Sequence, residues 1–181
     1  PSMFPTPAHQ NIGFGVCTAS TRTPFSLIAS DLLPNLSVFV DPVQFFPRFT
    51  WSPVEAQDGS LFGEGDVEKQ ISETSVFGEI GEVVDGYVRV DNVTEEIKKI
   101  YRDVLGADIT GDDIFHFVYG KLHDPVYRTT YAADLKKMLP HIETPESREE
   151  FDKFALAGKE LMGLHVGYED VEPYPLDIAV K

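Results

Sequence analysis

The run "DIFHFVYGKLHDPVYRTTYAADLKKMLPHI", residues 113–142, gathers histidines, tyrosines and basic side chains at short spacing in a chain of net charge -15. Side chains of these types could bind a metal, move protons or hold nucleic-acid phosphates. His116 and His123 are seven residues apart. That puts two helical turns between them, not the i, i+4 spacing of a helical metal pair, so no metal site is expected. The adjacent acids Asp112–Asp113 and Glu149–Glu150 point in different directions on a helix and read as helix-start residues that complement the dipole. Cys17, the single cysteine, lies in an apolar strand-like stretch and reads as a small buried side chain. What remains is charge: Lys121, Arg128, Lys136 and Lys137 outnumber Asp124 and Asp134, in the only basic window of the sequence. A patch for phosphates and a solvated helix face are both open readings of it.

The elements that must carry this window follow from periodicity. In "NVTEEIKKIYRDVLG", Ile97, Ile100, Tyr101 and Val104 recur at helical spacing, with Asn92 as the expected cap and Gly106 as the stop. Thr110 can cap a second helix with Ile114, Phe117, Val118 and Leu122 on one stripe. Asp124 followed by Pro125 opens a third, with Tyr127, Tyr131, Leu135 and Met138 on its stripe and Pro140 as its end. A fourth starts near Thr144 and Pro145 and carries Phe151, Phe154, Gly158, Leu161, Met162 and His165 at the same period. Most aromatics of the window, including Phe115, Phe117, Tyr119 and Tyr131, therefore read as core.

Upstream, "NIGFGVCTAS", "FSLIAS" and "LSVFVDPVQFFPRFTW" are short apolar runs bounded by proline, glycine and asparagine, the pattern of strands joined by turns. Between the halves, residues 52–86 are rich in glycine, serine and acids and read as a surface loop, with short strands near "TSVFGEI" and "GYVRV" as the alternative. The expectation is an α+β chain: a β-rich part over residues 1–51, an acidic linker over 52–86, and a helical part of about four helices over 87–181.

Composition restricts the class further. At 181 residues and 42% hydrophobic, the chain can bury a substantial core. One cysteine forbids an internal disulfide, and no run of about 18 apolar residues exists to span a bilayer, so a soluble protein of the reducing cytoplasm is expected. Acids are concentrated in the middle: residues 51–100 hold twelve acids against four bases, whereas residues 1–50 hold two of each. "GFG" lacks the remainder of a dinucleotide fingerprint, and no phosphate loop ending in Gly-Lys-Ser/Thr is present. The first and last residues, "PSMF" and "DIAVK", suggest a segment of a longer chain.

The run "DDIFHFVYGKLHDPVYRTTYAADLKKMLPHI", preceded by "YVRVDNVT" and followed by "FALAGKELMGLHVGYEDVEPYPL", resembles the C-terminal region of single-polypeptide restriction–modification enzymes, the type ISP family. The upstream "MFPTPAHQNIGFGVCTASTRTPFSLIASDLLPNL" is similar to the part of that family that opens the target-recognition domain. The resemblance implies a DNA-specificity region without catalysis of its own. In the parent it would be fused to a nuclease, an ATP-dependent motor and an adenine-N6 methyltransferase, which would use S-adenosylmethionine, ATP and Mg. Neither the methyltransferase Asn-Pro-Pro-Tyr/Phe motif nor the motor's phosphate loop occurs in the sequence. Double-stranded DNA is the implied partner, together with the methyltransferase and motor domains. Arg22, Gln44, Arg48 and Lys121 are the candidates for base contacts, and Lys121, Arg128, Lys136 and Lys137 those for a phosphate path. The acidic total favours a rival role, a coupling module that docks on the methyltransferase or motor without touching DNA.

Overall fold

In a computed structural model that describes residues 2–17, 24–33, 35, 43–54 and 74–172, the described residues form two three-stranded antiparallel sheets, a two-stranded hairpin and four α-helices. The first sheet has the order β2-β1-β3, from β1 (Gly13–Cys17), β2 (Leu27–Ser30) and β3 (Val43–Pro47). The second has the order β4-β8-β7, from β4 (Phe49–Pro53), β7 (Val83–Val84) and β8 (Tyr87–Asp91). A small hairpin pairs β5 (Thr74–Ser75) with β6 (Gly78–Glu79). The α+β expectation holds. In the stretch read as a linker, the described residues carry the short strands of the alternative reading, with β5, β6 and β7 within residues 74–84; residues 55–73 of that stretch lie outside the described residues.

The helices are α1 (Glu95–Leu105), α2 (Gly111–His123), α3 (Pro125–Thr130) and α4 (Arg148–Val166), and a 3-10 turn at Tyr168–Asp170 follows. Among the described residues none is long and apolar enough to cross a membrane. Helix α2 is the axle of the fold. Its Phe115, Tyr119 and Leu122 pack with Phe14, Val16, Leu27 and Ala29 of the first sheet. Its Ile114 and Phe117 pack with Tyr101 of α1 and Phe151 of α4. Burial on both sides explains why its apolar residues exceed a single stripe. Where α2 crosses α4 the backbones nearly touch: a Cβ on Gly158 would lie 1.9 Å from the His116 carbonyl oxygen, and one on Gly120 2.2 Å from that of Phe154. Only glycine permits such an approach.

The helix starts follow their caps. The Thr110 hydroxyl accepts from the Asp113 amide, and the Asp113 carboxylate accepts from the Thr110 amide, which closes a capping box. Asp124 accepts from the Val126 amide, with Pro125 at the first helical position. Two expectations fail. Helix α1 is capped by Thr94, not Asn92, and turns Lys98, Tyr101 and Leu105 inward, so that Ile97, Ile100 and Val104 face solvent. On that face Tyr101 and Leu105 pack with Ile109, Ile114, Phe117 and Phe151, and Lys98 pairs with Asp91 at 2.7 Å. Helix α3 stops at Thr130 instead of reaching Pro140, and residues 131–137 form turns. The Thr129 hydroxyl bonds back to the Pro125 carbonyl at 2.7 Å, and the Tyr127 hydroxyl donates to the His141 carbonyl at 2.8 Å, so local side-chain bonds compete with helix extension. Leu135 is still buried, but Met138 is exposed.

Candidate nucleic-acid interface

Arg48 joins β3 to β4, and its backbone is fixed on both sides: its amide donates to the Ile12 carbonyl at 2.7 Å, and its carbonyl accepts from the Asn92 amide at 3.2 Å. The side chain is wholly buried. Its Nε donates to Asp112 Oδ1 at 2.7 Å, and its two terminal nitrogens bond to the Asp91 carboxylate. The Asp112 carboxylate also accepts from the Ser75 hydroxyl and, at 2.7 Å, from the Val76 amide. Lys98 completes the cluster on Asp91. Burial opposes the charge of Asp91, but the hydrogen bond and charge of Arg48 outweigh it, with help from Lys98 and the Val93 amide, and hold the carboxyl below its usual value. Gly111 is required beside this cluster, since a Cβ there would lie 2.6 Å from an Arg48 terminal nitrogen. This network ties both sheets to the start of α2. In this arrangement Arg48 has no path to a base edge, which corrects its reading as a base reader.

The other candidates separate by their partners. Gln44 is exposed on edge strand β3, opposite Val16. Arg22 lies outside the described residues. Lys121 is committed to Asp124 at 3.3 Å and Glu150 at 3.2 Å, and its ammonium sits 4.2 Å from the Phe154 ring centroid. Arg128 donates to the Phe25 carbonyl at 3.1 Å and lies over the Phe25 ring, leaving its Nε buried and without a hydrogen-bond partner among the described residues. Lys136 and Lys137 are exposed on the turn after α3 and make no ion pair among the described residues.

These residues share one end of the fold. Phe25 leads into β2, Leu27 packs in the same cluster as Tyr127 of α3 and Leu135 of the following turn, and Gln44 pairs with the β1 residue next to Cys17. Gln44 and Arg128 thus lie at the end of the first sheet formed by Val16, Leu27 and Val43, and Lys136 and Lys137 follow Leu135, which packs in the core of the same sheet. Elsewhere the described surface cations are largely neutralised: Lys99 by Asp103, Arg148 by Asp108 and Asp152, and Lys153 by Glu149.

Burial pushes His116, His123 and His165 down, so each favours its neutral form. The Tyr119 hydroxyl shares a hydrogen bond with His165 Nδ1 and accepts from the Ala29 amide, a link between α2, α4 and β2. No group of three or more potential metal ligands occurs among the described residues. Sequence reasoning passes over Lys159, because no local excess of basic residues marks it beside Glu160. It is exposed and makes no ion pair among the described residues.

The model of the family described as "Type ISP C-terminal specificity domain" matches residues 1–181. Among solved structures, the fold is similar to a DrdV–DNA complex determined by cryo-electron microscopy, with TM-score 0.69 and 29% identity over 97% of this chain and 14% of that one. It is similar to the ATP-dependent Type ISP restriction-modification enzyme LlaBIII bound to DNA, with TM-score 0.69 and 20% identity over 97% of this chain and 9% of that one. A nuclease-deletion mutant of the Type ISP enzyme LlaGI, in complex with a DNA substrate mimic, has TM-score 0.60 and 24% identity over 96% of this chain and 12% of that one. The chain therefore spans a small fraction of the length of each. No curated protein matches.

Proposed function

We propose, for a chain that belongs to the family of Type ISP C-terminal specificity domains, that it contacts double-stranded DNA through the β1–β2 end of its first sheet and selects the sequence on which a longer restriction–modification protein acts. Lys136 and Lys137 hold phosphates there. Gln44 on its edge strand is the described residue best placed for a base edge, where a glutamine amide can pair bidentately with adenine. Arg128 supports the surface through Phe25 and does not itself read sequence. The observation that carries this reading is the exposed pair of unneutralised lysines, Lys136 and Lys137, on a protein whose other described surface cations are largely ion-paired. With a net charge of -15, the domain needs neighbours to supply most phosphate contacts while it reads bases. Those neighbours are the methyltransferase and motor domains, to which S-adenosylmethionine, ATP and Mg belong, in the cytoplasm; the domain carries no catalysis of its own.

The test is to titrate the full protein with cognate and unrelated DNA, as wild type and as Gln44→Ala. Loss of about 1–3 kcal/mol on the cognate site and much less elsewhere is expected; equal loss on both DNAs refutes base reading by Gln44. The coupling reading has an observation in its favour too: the exposed ridge of Ile97, Ile100 and Val104 on α1, an apolar surface suited to another domain.

A further inference from the structure

A groove of about 1130 Å³ opens at the Gly13 and Ser30 end of the first sheet, between the segment before β1, the turn after β2 and helix α4. Its walls are mainly apolar, with Phe4, Leu33, Phe77 and Met162 among them. Leu32 and Leu33 stand 71% and 61% exposed at its lip, an arrangement a free surface gains nothing from. Two polar groups line this apolar space. His116 is only 5% exposed, and its ring lies 5.6 Å from that of Phe77. Lys159 lines the same groove, unpaired and close enough for its charge to act on His116.

The size decides between classes of occupant. Pockets for small molecules run to about 300–1,000 Å³, and this groove is larger. A polypeptide fits it better. We infer that the groove seats an extended, mainly apolar segment from a part of the longer polypeptide outside residues 1–181, with a carboxylate on Lys159 and a hydrogen-bonding group on His116. The inference rests on the reading of this chain as one domain of a longer protein, and the solved relatives supply the chain length for it, since this domain covers 14% or less of each. Because the groove lies at one end of the first sheet and Gln44 and Arg128 at the other, the segment and DNA can be held together.

The experiment places a photo-crosslinking p-benzoylphenylalanine at Leu33 in the full-length protein, in a mixture of isotope-labelled and unlabelled copies, and identifies the joined peptides by mass spectrometry. Cross-links to one mainly apolar, acid-containing segment outside residues 1–181, within one copy, are expected. Their yield should fall several-fold in Lys159→Glu. The same probe at Val126, which is 71% exposed at the other end, should not reach that segment. Leu32 provides a second probe position if the Leu33 variant does not fold. Cross-links confined to residues 1–181, cross-links between copies, or none at all overturn the inference. DNA titration of the same preparations keeps the two readings apart: lost DNA binding with intact cross-links refutes the DNA reading alone, and intact DNA binding without cross-links refutes the groove alone.

Discussion

Arg48 and the pair Lys136 and Lys137 are cations of one domain in opposite circumstances. Arg48 is wholly buried, bonded to Asp91 and Asp112 and lying over the Phe49 ring at 4.6 Å. The two lysines stand in solvent with no ion pair among the described residues. Residue type does not distinguish them; their partners do. Removing Arg48 leaves two carboxylates facing a low-dielectric interior, whereas removing a lysine exposes nothing that water cannot solvate. The first region should answer to mutation in stability and the second in binding.

The largest expected effect is that of Arg48→Ala, which should cost the domain about 3–5 kcal/mol in urea denaturation, because it strands buried charge. Replacing Arg48, Asp91 and Asp112 together by apolar residues of similar volume should cost much less. A stable Arg48→Ala domain that loses only cognate DNA recognition would restore the base-reading role and erase the contrast.

Leu135→Ala comes next, at about 2–5 kcal/mol, because the side chain belongs to the core cluster of the first sheet although it sits one residue from Lys136. A melting temperature within a degree of wild type would show that the whole turn, and not its lysines alone, is peripheral. Gly158→Ala should cost about 1–3 kcal/mol or more by forcing α2 and α4 apart at their crossing.

These expectations mark what could be read from the sequence. The strand-rich half, the stripe of α4 and the caps at Thr110 and Asp124 are legible because each is a local pattern of a few residues. The burial of Arg48 is not, since its partners are 43 and 64 residues away. The inward face of α1 is hidden for a different reason: Tyr101 and Leu105 pack with Ile109, Ile114, Phe117 and Phe151 beyond the helix, and Lys98 pairs with Asp91 before it, so the period within the helix does not mark the buried face. Helix α3 is overread because its stripe continues after Thr129 and Tyr127 have redirected the backbone. Of the site candidates, Lys136, Lys137 and Gln44 are found exposed, while Lys121 and Arg128 are already engaged within the fold.

A smaller effect concerns protons. His116, His123 and His165 all have folded pKa values depressed from 6.5, so the unfolded chain binds protons that the folded chain refuses. Stability is therefore fully present above about pH 6.5 and declines as pH falls from there toward the folded values. Asp91, held below 3.8, adds a second loss at more acid pH. Melting temperatures from pH 8 to 5 should fall at the acid end, and less steeply in His116→Phe. A flat profile would show that the three imidazoles are solvated.

The smallest effect on stability and the most telling on function belong to Lys136→Ala/Lys137→Ala. Neither side chain touches the core, so unfolding should change by no more than about 0.5 kcal/mol. If both ammonium groups lie on phosphates, each lost contact releases one fewer counterion, and the slope of log affinity against log salt should fall by about one unit per lysine, or two for the double variant. The loss should be nearly equal on cognate and unrelated DNA, because phosphates carry no sequence, so preference survives while affinity declines. Titration of the full protein at several salt concentrations reads both quantities at once. An unchanged slope in a folded double variant would leave the two lysines as a solvated turn. The weight would then move to the apolar ridge of α1 and to a domain that transmits target recognition without touching DNA.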